Sequence, residues 1–498
     1  MDSLDKPDLE SGGAATGGEA PAALDEGSLR FQETAVPDAA TVVRRRKLIL
    51  WTAISSNILG NSGLIGINLA IPSIQTEMAL NAVQVGFLTL STMLVMAMCS
   101  APVARLSDLI GRHRVTVIGL WITIITSAAA ALSYSYASLF VARALNGLGL
   151  ASFFTTVTTM VTAVYPARER GRVLGLAIAS VYIGLSIGPI LVGNLVEYLG
   201  WRSLFWFTVA GMIPPLVLIK MVPRDVPPTP DEKLDYPAAA LWAAGLGLGF
   251  AGLAGIGDSH AVPALVLGVV LTGLFLYRNF RSSAPMLDMR LFLDSRRFSF
   301  SSLAAFISYL SSTSIAFLMS LYLQYSRGMS PAEAGFMLVA QPIVQAALTP
   351  FAGRLSDRVD AGKLASAGMG IIAVTIVIFA TTLSGTTSNA LLILTLAMTG
   401  AGFALFSAPN SNAIMSSVPP LRLGQASGVI TVTRLCGQIS SLALTTVIFS
   451  VVIGPGSITP DKYPAFITAS KICFWIFAPL CLAGILASLA RGRSRGRA

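Results

Sequence analysis

The chain has 498 residues, 54% of them hydrophobic and only 12% charged, with 34 Lys and Arg against 24 Asp and Glu for a formal net charge of +10. A mean hydropathy of +0.72 at this charge density excludes a soluble globular protein as the bulk of the chain. His113 and His260 are the only histidines, and there is no HExxH, GxSxG or Gly-rich phosphate loop, which argues against an enzyme and against an ATP-driven pump.

Residues 1–43 are acidic and rich in Gly, Ala and Pro, with no apolar run, and read as a disordered cytoplasmic tail without a signal-peptide core. From there fourteen apolar stretches follow one another, at about 48–73, 84–104, 115–135, 138–164, 172–196, 203–222, 236–255, 261–279, 298–323, 333–353, 362–384, 388–411, 424–453 and 467–489. Roughly twenty apolar residues cross a ~30 Å hydrocarbon layer as a helix, the one open-chain form that satisfies its own backbone hydrogen bonds in lipid. The fold class expected is therefore an all-α polytopic membrane protein with fourteen transmembrane helices. Cys99, Cys436, Cys473 and Cys481 all fall in these spans without CxxC spacing, and read as small packing residues.

With residues 1–47 inside and the spans alternating, the inner loops collect Arg44, Arg45, Arg46, Lys47, Arg105, Arg112, Arg114, Arg168, Arg170, Arg172, Lys220, Arg278, Arg281, Arg354, Arg358 and Lys363, among others. The outer side holds only Arg202, Arg327, Lys462 and Lys471. This is the positive-inside pattern, which places both termini in the cytoplasm and makes the basic balance a topology signal, with anionic lipid and not nucleic acid as its partner.

The chain also repeats itself. Ala104-Arg105-Leu106-Ser107-Asp108 follows the second span and Gly353-Arg354-Leu355-Ser356-Asp357 follows the tenth, each after a Pro-containing helix end, Pro102 and Pro350. Taking these as equivalent loops divides the chain into the tail 1–43, a six-helix bundle over 44–222, a linker 223–296 with two extra transmembrane helices, a second bundle over 297–490, and a basic tail 491–498. Duplicated bundles about a central cavity are the usual build of a secondary transporter.

Three motifs then carry a resemblance. Ala104–Arg114, with Leu106, Asp108, Gly111 and Arg112 in place, is similar to the G-x-L-a-D-r-x-G-r-k loop of the major facilitator superfamily. Arg143-Ala-Leu-Asn146-Gly147-Leu-Gly149 resembles its R-x-x-q-G-x-g motif, and Gly184-x-x-x-Gly188-Pro189-x-x-Val192-Gly193 its antiporter motif. The 6+2+6 layout resembles the fourteen-spanner drug/proton antiporter branch. That resemblance implies a transporter with no cofactor or metal, a small-molecule substrate, protons as the coupled ion, and a monomer in a bacterial inner membrane.

The same resemblance implies roles for individual residues. Asp108, Gly111 and Arg112, with Asp357 and Arg358 in the second copy, form gating clusters that latch and release helix ends. Arg143, Asn146 and Arg434 stand for transport or coupling, although a structural role for either embedded cation is also open. Gly184, Gly188 and Pro189 form a hinge, or simply a packed and bent helix. Asn57, Asn61 and Asn68 on span one, and Gln341 and Gln345 on span ten, either line the substrate cavity or join helices. In the family's first-helix pattern an Asp stands where this chain has Gly63, and no Asp or Glu lies well inside any span. The functional reading is an exporter of a small amphipathic or drug-like compound in exchange for protons. The alternatives are a proton-independent facilitator or exporter of an anionic metabolite, and a membrane sensor with the same fold.

Overall fold

The computed structural model describes residues 39–222, 235–255, 259–282, 285–287, 289–356, 358–418, 423–454 and 458–491. The first half contains α1 (Ala39–Met78), α2 (Ala82–Ile110), α3 (Arg112–Ala131), α4 (Tyr136–Val164), α5 (Ala167–Leu199) and α6 (Arg202–Lys220). After α7 (Tyr236–Ala254), α8 (Ala261–Arg281) and the short α9 (Arg290–Asp294), the second half contains α10 (Arg296–Leu321), α11 (Pro331–Leu338), α12 (Ala340–Ser356), α13 (Ala361–Thr382), α14 (Asn389–Met415), α15 (Leu423–Val452) and α16 (Tyr463–Ala490). Among the described residues, 14 stretches are long and apolar enough to cross a membrane, the tenth built from α11 and α12 together.

Local sequence explains where these helices start and break. Asn81 and Gln84 cap each other at the start of α2, the Asn81 side chain accepting from Gln84 N–H at 2.8 Å and the Gln84 side chain from Asn81 N–H at 2.9 Å. Ser330 and Glu333 do the same at α11. The tenth span breaks at Val339 because Pro342 has no N–H to return to the Leu338 carbonyl. Gly111, with φ +97°, makes the reversal from α2 into α3 that a side chain would strain. At the far end of α10 the chain widens into a π-helical turn, Tyr322–Ser326.

The repeat seen in the sequence is a repeat of neighbours. In the first half α2 packs on α4, α3 on α4 and α3 on α6; in the second α12 packs on α14, α13 on α14 and α13 on α16. The two halves meet along two seams, α2 against α15 and α5 against α11 and α12, which exchange places when the halves are interchanged. The α7–α8 hairpin packs on both α2 and α15. In the core of the second half Phe379 stacks on Phe474 at 5.4 Å and Phe449 meets Phe466 edge-on at 5.7 Å. Below, the end of the molecule at the start of α1 is called proximal and the end at Met78 distal.

Candidate functional site

The span-four motif is a set of contacts to four different helices. Asn146 is buried and donates to Thr126 Oγ1 at 3.0 Å, Ser127 Oγ at 3.1 Å and the Thr123 carbonyl at 3.4 Å, all on α3. Gly147 lies against the Thr92 carbonyl of α2, and Gly149 against Thr123 of α3; a β-carbon at either would collide. Arg143, two turns into α4, points the other way, between α1, α3 and α6. It is 4% exposed, and its Nε and Nη2 are buried with no protein acceptor. Its guanidinium faces a cavity of about 20 Å³ whose walls include Gly63, Ser127, Asn146, Phe205 and Thr208. Gly63 therefore lies on the same cavity as the buried guanidinium. A β-carbon there would stand 2.9 Å from Thr208 Oγ1.

The glycines of α5 mark where backbones touch. A β-carbon on Gly188 would lie 2.9 Å from Ser62 Cα, and Gly184 sits on the Ile58 carbonyl, both on α1. Ser62 Oγ ties the same pair, donating to the Gly184 carbonyl at 2.9 Å. The Pro189 carbonyl meets Gly335 of α11, and a β-carbon on Gly193 would stand 2.6 Å from the Pro331 carbonyl oxygen. One stretch of α5 thus grips its own half and the other half in succession. Asn57 is used in this packing too, donating to Ser180 Oγ and the Ala177 carbonyl of α5, each at 3.2 Å. Asn61 donates within α1 to the Asn57 carbonyl at 2.8 Å. Asn68 has its carbonyl on Ser320 Oγ at 2.8 Å, while its side-chain Oδ1 is buried without a partner.

Hydrogen bonds that cross between the halves gather distally. Besides Ser320 on Asn68, the Tyr325 hydroxyl donates to the Gln75 side chain, and the Glu197 carboxylate of α5 accepts from Ala332 N–H of α11 at 3.1 Å. Nearer mid-depth, Tyr309 of α10 brings the halves together differently. Its hydroxyl interacts with Arg434 of α15 and Ser407 of α14, Tyr182 of α5 is close by, and its ring lies 5.9 Å from Phe403. Gln341 packs its backbone against Gly400, and the Gln345 carbonyl accepts from Thr349 Oγ1 at 2.6 Å; both side chains are half-buried.

The proximal loop is more local than a latch between distant helices. Asp108 pairs with Arg112 at 3.0 Å across the Gly111 turn, with both side chains over a third exposed. His113 donates to the Ile219 carbonyl of α6 at 2.9 Å and fastens the loop to its own half. In the second copy Arg358 is exposed, and Asp357 lies outside the described residues.

Several polar anchors escape sequence reasoning. Arg491, at the head of the run read as a basic tail, is 5% exposed. It donates to the Ser488 carbonyl at 2.6 Å, Asn410 Oδ1 at 3.2 Å and Ser301 Oγ at 3.3 Å, joining α16, α14 and α10 at the proximal end. Burial pushes its pKa down to about 10, with Asp360 opposing the shift, so it is charged at neutral pH. Arg202 pairs with Glu77 at 2.7 Å and donates to the Ser133 carbonyl at 3.2 Å, a distal staple for α1, α3 and α6. Arg327 staples the second half distally through Asn389 at 3.1 Å. Nothing in the spacing of these residues distinguishes them from solvated flanking charges. No cluster of three or more His, Cys, Asp or Glu suited to a metal occurs among the described residues.

The comparisons with known proteins agree with this geometry. The family model described as Major Facilitator Superfamily matches residues 50–279 and 301–497. The riboflavin transporter RibZ of Clostridioides difficile is 27% identical over 428 residues, covering 84% of this chain and 92% of its own. The multidrug resistance protein Stp of Mycobacterium tuberculosis is 31% identical over 388 residues, covering 76% and 71%. Among solved structures, the peptide transporter POT in complex with sulfate superposes with a TM-score of 0.68 at 16% identity, over 89% of this chain and 95% of that one, a likeness of fold alone. Two bundles with exchanged seams, fourteen crossings and a family match across both halves lead to one conclusion: this chain belongs to the major facilitator superfamily of membrane transporters.

Proposed function

We propose that this transporter exports a small amphipathic, drug-like compound from the cytoplasm in exchange for protons, with its proximal end and both termini cytoplasmic, as a monomer in a bacterial inner membrane. The observation that carries the substrate class is the mid-depth cluster of Tyr182, Tyr309, Phe403 and Arg434. Aromatic faces beside one cation and one set of hydroxyls suit a flat, largely apolar molecule with an electron-rich or anionic edge. The names of two relatives, the multidrug resistance protein Stp and the riboflavin transporter RibZ, support a small-molecule substrate. Gly184, Gly188, Pro189 and Gly193 let α5 carry the relative motion of the halves, and the Asp108–Arg112 turn stiffens the proximal rim in one of the two states.

The proton has to act without an acid deep in a span. At the distal seam the Glu197 carboxylate accepts from Ala332 N–H at the N-terminus of α11, a contact between the halves that the transport cycle has to break. Efflux of a compound panel from proteoliposomes, with and without an imposed pH gradient, tests the reading. Flux driven by the gradient, slowed by Glu197→Gln and by Arg434→Gln, is expected.

A second reading is supported by Arg143 and Arg434 lying inside the spans while the described carboxylates lie at helix ends. On that reading the protein moves an anionic metabolite without protons. Flux of organic anions that ignores the pH gradient would replace the first reading with the second. A sensor of the same fold would show ligand binding without flux.

A further inference from the structure

The Arg143 cavity is separate from the mid-depth cluster, since it lies inside the first half, among α1, α3, α4 and α6. We propose that it is a binding site for a small monatomic anion, of the halide class, which neutralises Arg143. A fixed cation in a membrane protein is tolerated when something of opposite charge or several acceptors answer it. Here Nε and Nη2 of Arg143 are buried and meet no protein acceptor, and Arg143 lines the cavity. Ser127, 2% exposed on the cavity wall, accepts from Asn146 Nδ2 at 3.1 Å, which leaves its own hydroxyl hydrogen for a further acceptor. Asn146 spends its amide hydrogens on α3, at Thr126 and Ser127, and thereby fixes Ser127 in place beside the guanidinium.

The walls supply donors and no carboxylate. Gly63 contributes no side chain, and Thr208 turns its hydroxyl to the Leu204 carbonyl at 3.0 Å. A donor set of one guanidinium and one hydroxyl, closed by Phe205 and Leu150, selects a desolvated anion over a cation or a neutral molecule. Size selects further. A cavity of about 20 Å³ has room for a water-sized ion, and its apolar closure disfavours a strongly hydrated dianion such as sulfate. The bound anion and Arg143 together form an ion pair of which one member is exchangeable. A side-chain carboxylate introduced at Gly63 would occupy the same space.

The test is the thermal stability of the purified full chain in detergent, measured in sodium chloride against sodium gluconate and sodium sulfate at matched ionic strength. Chloride and bromide are expected to raise Tm along a saturating curve, while gluconate and sulfate leave it unchanged. Ser127→Ala should raise the half-saturating chloride concentration about ten-fold, the equivalent of one hydrogen bond to a charged partner. Arg143→Gln should abolish the halide response, and Gly63→Asp should do so by placing a tethered carboxylate in the cavity. Should the variants fail to fold, the anion ranking of the unmodified protein decides. Equal Tm in chloride and gluconate, or a full halide response in a folded Arg143→Gln protein, overturns the proposal. Because the readout is stability without substrate, a failed transport reading leaves this result standing, and the reverse also holds.

Discussion

Gly193 of α5 and Pro331 of α11 touch backbone to backbone across the seam between the halves, with room at Gly193 for a hydrogen and nothing larger. A methyl group there would be relieved of this clash if the halves separated at the distal end. Gly193→Ala should therefore penalise the distally closed state by about 1–3 kcal/mol, the usual cost of an extra methyl group in a packed contact, and shift the population toward a distally open form. Cysteine labelling from the distal side at Leu69→Cys, a buried position against the seam, should accelerate about ten-fold or more in that background. Unchanged labelling would show that the contact does not hold the gate.

Tyr325→Phe makes the complementary change. Gln75 is 4% exposed, and losing the Tyr325 hydroxyl strands its side-chain oxygen in a buried site. An orphaned buried acceptor costs about 1–3 kcal/mol. Lower thermal stability together with faster distal labelling is expected, and wild-type values for both would place the closure elsewhere.

Asp108→Asn should leave folding untouched. The pair with Arg112 is an exposed ion pair within one turn, worth at most about 1 kcal/mol. If the turn serves gating, a variant with wild-type Tm and expression will transport more slowly. A well-folded Asp108→Asn protein with normal turnover would refute the gating role.

Asp235 gives a pH dependence. It caps α7 through Ala238 N–H at 3.1 Å and pairs with Arg278 of α8 at 3.0 Å. The Arg278 guanidinium, more than the Ala238 N–H, holds its carboxyl below the usual carboxylate range against an opposing effect of burial. A lowered acid pKa stabilises the fold above the unfolded value, about 3.9, and the contribution disappears as pH falls through the lowered value. Hydrogen-exchange protection at the start of α7, taken relative to the intrinsic rate at each pH, should therefore fall on acidification below about pH 4, and Asp235→Asn should show the lowered protection already at neutral pH. Identical profiles for the two proteins would dismiss the pair.

Arg491→Ala removes the cation that joins three helices proximally, leaving Asn410 Oδ1 and the Ser488 carbonyl without that donor. A loss of about 3 kcal/mol is expected, in line with breaking a buried polar network. Arg491→Lys should recover part of it. Stability equal to wild type in the alanine variant would return Arg491 to the status of a tail residue.

The spans were legible because apolar length is a one-dimensional property, and so was the Gly111 turn; the break between α11 and α12 inside the tenth span was not, although Pro342 is its local cause. The Arg143–Gly149 stretch was legible as a motif, but not as contacts, because spacing tells which residues share a helix face and never which helix lies opposite. That is why Asn57 could be read equally as cavity or packing and is found on Ala177 and Ser180 of α5. Arg491 was invisible for a related reason. It heads a run that continues with Arg493, Arg495 and Arg497, and nothing in the run marks its first member as buried. Glu197 and Ala332 lie 135 positions apart, and no local pattern couples them.

The α7–α8 hairpin makes the two seams unequal. Trp242 Nε1 donates to the Ala97 carbonyl of α2 at 3.2 Å, and α7 also rests on α15, so the hairpin roofs the α2–α15 seam. The α5–α11 seam lacks such a cover among the described helices. A molecule dissolved in the bilayer thus meets one shuttered flank and one bare flank. Pseudo-symmetric halves thereby acquire a sidedness in the membrane plane.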